Sequence, residues 1–202
     1  MANQQTAFGF RHIGFLPGFS PDYQILTRQI SSANTTKIFR NDPVVKVGAS
    51  GFIAQAANNT TVLEGIFDGC MFIPSTGGPP TWSPFWPGAA ASNATAYIIN
   101  APGALFLAAT LNTSLSSVNI GANVGFNIGT GSTVGGGFSG ATLDQATITT
   151  NNAAPFQVVD LYNAASTSNF GALGNGSDQT TPFGWAVVTF NNQRFKQLTG
   201  IL

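Results

Sequence analysis

Thr36–Ile73 reads TKIFRNDPVVKVGASGFIAQAANNTTVLEGIFDGCMFI, and its rhythm decides the fold class. Apolar and polar residues alternate, and Asn41-Asp42-Pro43, Gly48-Ala49-Ser50-Gly51 and Asn58-Asn59-Thr60-Thr61 punctuate the alternation. A period of two puts every second side chain on one face of a strand, and such turn residues reverse the chain. Pro43 also disfavours helix at the residue before it. The reading is antiparallel β. It predicts strands over 37–40 and 44–47, a hairpin of 51–57 with 62–67 across 58–61, and a continuation over 70–73.

The same grammar extends outward. Strands are predicted over 95–100, 104–110, 125–128, 142–150, 156–161 and 185–190, joined by Gly-, Pro- and Asn-rich turns, while 23–30 suits a strand or a short helix. Strands recurring at this spacing point to a sandwich or a barrel. The expected fold is all-β: an antiparallel β-sandwich or barrel, jelly-roll-like or tulip-like. An extended aromatic N-terminal arm over 1–34 precedes a β-rich body over 35–202, with a sub-boundary in the Pro/Gly/Trp loop 74–92. Gly121–Gly140 is glycine-rich without a fixed period, which excludes a solenoid repeat.

Composition narrows the class. Only 7% of the 202 residues are charged, against roughly 25% in average soluble proteins. Disorder is excluded, because 43% of residues are hydrophobic and 17 are Phe, too much apolar surface to leave in water. A neutral surface of Ser, Thr, Asn and Gly suits a protein that lives inside an assembly, since interface cores are depleted of charge; a secreted or surface β protein is the alternative. The charges are segregated: residues 1–46 hold five basic and two acidic side chains, while 47–178 hold five acidic and none basic. A basic segment and an acidic body would attract a neighbouring copy or an acidic shell. Nucleic acid is not expected as a partner, because it wants clustered Lys and Arg.

Two stretches hold aromatics in unusual settings. Phe8, Phe10, Phe15 and Phe19 arrive among Gly9, Gly14, Pro17, Gly18 and Pro21. They either tuck under the body or insert into pockets on a neighbour, with Arg11 and Arg28 available for charge-assisted bonds to shell carboxylates. In 74–91, PSTGGPPTWSPFWPGAAA, prolines and glycines exclude a regular element, and Trp82, Phe85 and Trp86 form either a contact patch or a cap on the core.

Catalytic machinery is not in evidence. His12 is the single histidine, in a Gly/Phe-rich segment, and no Gly-x-Ser-x-Gly elbow accompanies it. Cys70 is the single cysteine, which excludes an internal disulfide and reads as a small core hydrophobe. The acids are scattered; Glu64 and Asp68 on one strand face would stand about 13 Å apart. The glycine clusters at 129–131 and 135–137 lack the Gly-Lys-Ser/Thr of a phosphate loop. No enzyme activity, metal or cofactor is expected. With neither a membrane-length apolar run nor an export signal at the N-terminus, the chain is expected to be made and kept in a cytoplasm. Its Asn-x-Ser/Thr triplets, such as those at Asn93 and Asn175, then reflect composition and not glycosylation.

Three short motifs carry a resemblance: Asn41-Asp42-Pro43-Val44, Gly51-Phe52-Ile53 and Gly65-Ile66-Phe67-Asp68-Gly69. Together with an aromatic Trp-Pro stretch after the last of them, here Trp86-Pro87, they resemble decoration (cement) proteins of tailed-phage capsids, over about a fifth of the chain. The resemblance implies a structural protein on the capsid exterior of a virion, a homotrimer at three-fold and quasi-three-fold positions that clamps adjacent major-capsid subunits. On that reading Phe8, Phe10, Arg11, Phe15, Phe19 and Arg28 dock the shell, and Trp82, Phe85 and Trp86 form a second contact surface. The alternative is a fibre or spike domain whose Trp82 and Trp86 line a groove for a host-surface glycan.

Overall fold

The computed structural model describes residues 7–19, 25–113, 115–134, 136–162 and 183–196. Twelve strands form among them: β1 Arg11–Phe15, β2 Ile25–Ile30, β3 Pro43–Lys46, β4 Ile53–Gln55, β5 Gly65–Phe72, β6 Thr81–Ser83, β7 Ala94–Ile99, β8 Ala104–Ala109, β9 Asn123–Asn127, β10 Thr142–Thr149, β11 Phe156–Leu161 and β12 Trp185–Phe190. The first sheet runs β1-β8-β12-β11-β9-β10; the second runs β2-β7-β5-β3-β4, with β6 added to β5. The strands pair antiparallel and the sheets face each other as a β-sandwich, as the alternation and turn spacing predict. The only helices among the described residues are 3-10 turns at Gly48–Ser50 and Ser117–Asn119.

Consecutive residues reveal how the second sheet is used. Ile66 lies in a large cluster with Phe10, Phe106, Phe126, Phe156 and Phe190, whereas its neighbour Phe67 lies in a smaller one with Ile38, Val44, Cys70, Trp86 and Ile98. Val45 and Ile99 pack on the large cluster, while Val44 and Ile98 belong to the small one. Side chains alternate across a strand, so the second sheet is apolar on both faces. One face meets the first sheet, and the other is covered by Ile38 and Trp86 from its connections. This is why Pro43–Val47 and Tyr97–Ile99 read as near-continuous apolar runs.

Each sheet also curls. Gln29 bridges Phe52 in parallel, joining the β2 and β4 ends of the second sheet, and Thr110 bridges Leu143 between β8 and β10. Curling covers edges that would otherwise offer unpaired backbone groups to another chain.

Asn41 and Asp42 join the layers. Asn41 adopts φ 72°, a left-handed conformation that Asn tolerates. Its amide donates to Phe67 O at 2.7 Å, its carbonyl accepts from Phe10 N at 3.0 Å, and its side chain donates to Phe8 O at 3.0 Å. Asp42 Oδ2 accepts from the Phe39 amide at 2.8 Å and from Gln55 Nε2 at 2.7 Å. The Asn-Asp-Pro turn thus ties the N-terminal segment to β4 and β5.

Five expectations change in detail. Residues 37–40 form no strand, since Ile38 and Arg40 make only isolated bridges, to Trp86 and Phe138. No separate arm precedes the body among the described residues, because β1 is an edge strand of the first sheet on β8 and β2 pairs with β7 in the second; Tyr23 lies outside the described residues. The predicted hairpin of 51–57 with 62–67 does not form, since β3 stands between β4 and β5 and pairs with both. The break at Asp68-Gly69 is a bulge in one continuous strand, with the register shifting between Phe67 and Gly69 against β7; the extra residue returns Phe67 and Cys70 to the same core. The loop 74–91 holds a regular element after all, as Thr81–Ser83 pairs with Phe72–Cys70.

Candidate binding surfaces

The residues singled out for docking divide by burial. Phe10 is fully buried, stacked on Phe156 with ring centroids 4.2 Å apart. Phe8 is half-buried edge-on against Trp185 at 5.4 Å, and Phe15 packs against the larger core. These three pack on their own domain, the reading that tucks the aromatics under the body. Phe19 is different: it is 50% exposed, and its ring lies on Gly103, where a Cβ would fall 2.5 Å from it. Arg11 is exposed on β1 beside Ile13, itself 45% exposed. Arg11 and Ile13 are therefore exposed on β1, an edge strand of the first sheet, and Phe19 is exposed beyond the strand's Phe15 end.

The second group divides likewise. Trp86 is fully buried, its Nε1 donating to Asn34 O at 3.0 Å and its backbone bridging Ile38. Phe85 is half-buried and stacks with Phe39 at 6.1 Å. Trp82 alone is open, at 52% exposure. A groove between Trp82 and Trp86 does not exist, because Trp86 faces the smaller core.

The glycine-rich stretch joins this layer by close approach. A Cβ on Gly131 would stand 2.2 Å from the Phe39 ring, and one on Gly137 2.7 Å from that of Phe85. Two backbone bonds cross the contact, Arg40 N donating to Gly137 O and Ser139 N donating to Arg40 O, each at 2.9 Å. These glycines let one backbone lie on two aromatic rings.

The segregated charges meet inside the molecule. Arg28 Nε contacts Glu64 Oε1 at 2.6 Å, Arg194 Nη1 contacts Glu64 Oε2 at 3.2 Å, and Arg40 Nε contacts Asp68 Oδ1 at 2.9 Å. Lys196 donates to the Phe190 carbonyl. Arg28 is therefore committed to Glu64 and not held out toward a shell. Asp22 and Asp178 lie outside the described residues. The described surface keeps few uncommitted charges, while ten large apolar side chains on it stay at least 43% exposed.

Chemistry-bearing groups are likewise engaged. Burial pushes the Cys70 thiol up to about 12, which keeps it protonated and poor as a nucleophile. Burial lowers the His12 pKa, against a smaller raising effect from its bond to the Gly14 backbone and from the Asp68 charge. Glu64 and Asp68 serve as ion-pair partners, and the bulge between Phe67 and Gly69 breaks the alternation that would have aligned them. Among the described residues no three His, Cys, Asp or Glu side chains gather as a metal site. No helix there is long and apolar enough to cross a membrane. Sequence reasoning missed Ile13, Val118, Val134 and Phe138 as exposed apolar positions. Comparison with known protein families, with curated proteins and with solved structures finds no match.

Proposed function

We propose that the chain is a structural virion protein that binds the outside of a phage capsid and stabilises the shell by clamping adjacent major-capsid subunits. The reading begins from the three motifs that resemble capsid decoration proteins. The observation that carries it in the structure is the internal use of charge. Three arginines close on Glu64 and Asp68, and the described surface keeps few uncommitted charges and is partly apolar, as suits a protein held within an assembly.

The docking edge is β1. Its outer side presents Arg11 and Ile13, with Phe19 seated beyond its Phe15 end on Gly103. Burying these apolar groups across a subunit joint stabilises the contact by roughly 25 cal/mol per Å² before the entropic cost of association. The chain acts as a trimer, so three such edges engage one site and the lost freedom is shared among them. Pressure from packaged nucleic acid then works against apolar burial at each joint. The test is co-sedimentation of Ile13→Asp/Phe19→Ser with undecorated shells, beside the unaltered protein. Shell binding falls at least about tenfold with melting temperature preserved; full binding by this variant removes β1 as the docking edge.

A further inference from the structure

Trp82 and Trp86 stand four residues apart and meet opposite ends. Trp86 is buried with its indole nitrogen hydrogen-bonded. Trp82 is 52% exposed, and its ring lies against Gly69, where a Cβ would fall 3.0 Å from the indole. Gly69 sits at φ 154° in the β5 bulge, so the strand is shaped to leave room for that ring. Trp82 is thus a large aromatic fixed against backbone with half of its surface open to water.

Strand register identifies its surroundings. Ala94, Ala96 and Ile98 of β7 point into the smaller core, so Thr95 and Tyr97 point the other way. Tyr97 lies opposite Gly69 on one side and Thr27 on the other, and Thr95 lies opposite Gln29. Thr27, Gln29 and Thr95 are exposed and Tyr97 is half-buried. At the far end of this same face Ile66 and Ile99 pack against the first sheet. The sandwich therefore covers one end of the face and leaves the Trp82 end bare.

We propose that this bare end is a binding platform for a neutral saccharide. The aromatic floor of Trp82 and Tyr97 suits the C–H face of a pyranose ring, and Thr27, Gln29 and Thr95 supply uncharged donors and acceptors for its hydroxyls. Charge fits the same ligand. The face-forming residues are uncharged, and Asp68, next to Gly69, is already held by Arg40 at 2.9 Å. An anionic polymer finds no free cation there, and a hydroxyl-rich neutral ligand loses no charge solvation on binding. The Gly69 seat fixes the indole in advance, which limits the ordering cost of binding. The platform lies on the second sheet, away from the β1 edge, so it stands or falls independently of capsid docking.

The full-length protein is tested on an array of neutral and anionic glycans, followed by calorimetric titration of the best neutral hexasaccharide. Trp82→Ala, Trp82→Phe and, as a distant exposed control, Val118→Ala are compared after their melting temperatures are matched. A neutral glycan binds with Kd below about 1 mM, Trp82→Ala weakens it at least about tenfold, Trp82→Phe retains part of the affinity, and Val118→Ala leaves it unchanged. Absence of neutral-glycan binding, a preference for anionic glycans, or equal affinity in Trp82→Ala would each overturn the platform. So would self-association that Trp82→Ala abolishes, since a second copy would then be the occupant.

Discussion

Arg28 on β2 places its Nε 2.6 Å from Oε1 of Glu64, a carboxylate that is 1% exposed. The contact joins the edge of the second sheet to the approach of β5, and Arg194 closes on the other oxygen from beyond β12. One buried carboxylate thus holds two cations 166 positions apart in sequence, the difference between 194 and 28.

Removing that carboxylate strands both guanidinium groups beside an apolar core. Glu64→Gln is expected to lower unfolding stability by about 2–4 kcal/mol, near the lower end for breaking a buried pair because both arginines keep some solvent contact. Urea denaturation checks it, and a loss below about 0.5 kcal/mol would mean the triad contributes little.

Asp42 predicts a pH dependence. Burial raises its pKa from 3.8 to about 6, against the lowering effects of Ser139, the Phe39 amide and Gln55. An acid with a raised folded pKa contributes stability that is complete below its unfolded pKa and lost as pH rises through the folded one. This contribution therefore grows as pH falls from about 7 to about 4, by about 3 kcal/mol. His12, with its pKa lowered, acts in the opposite sense below its ordinary value. Asp42→Asn isolates the carboxylate. Its stability relative to the unaltered protein is expected to drop steadily as pH is lowered from 7.5 to 4, and a constant difference would refute the assignment.

The glycine contacts with Phe39 and Phe85 predict a graded series. Gly131→Ala forces a Cβ to within 2.2 Å of the Phe39 ring, whereas a Cβ on Gly14 meets nothing within 4 Å. Gly131→Ala should destabilise by about 1–3 kcal/mol through overpacking, and Gly14→Ala by less than about 0.5 kcal/mol. Similar thermal shifts in the two variants would show that the loop does not lie on the ring as described.

Cys70, fully buried and held protonated, should resist a thiol reagent such as dithionitrobenzoate in the native state at pH 8. Its labelling rate is expected to follow the unfolding equilibrium as urea is added. Rapid native labelling would place the thiol at the surface.

Much of the fold was legible because alternation and turn residues are local signals. They located β3, β7, β8, β10, β11 and β12 to within a residue or two. β1 escaped because its register shifts between His12 and Gly14, which spoils a period of two. β6 escaped because Pro80 and Pro84 flank a strand of only three residues, too short to show a period of two. Pairing order is not local either: β3 divides β4 from β5 because both faces of the second sheet demand apolar strands at its centre. The candidate surfaces were less legible. Phe10 and Phe19, or Trp86 and Trp82, are the same residue types in similar contexts, and tertiary packing alone decides which is buried. The charge segregation was visible, but its destination, Glu64 and Asp68 within the chain, depended on the fold.

The most direct test of the central claim is saturation binding to undecorated shells assembled from the cognate major capsid protein, with copies counted per capsid subunit. The account predicts saturable binding near one copy per subunit and trimers seated at three-fold and quasi-three-fold positions. Failure to bind such shells at micromolar protein would contradict it.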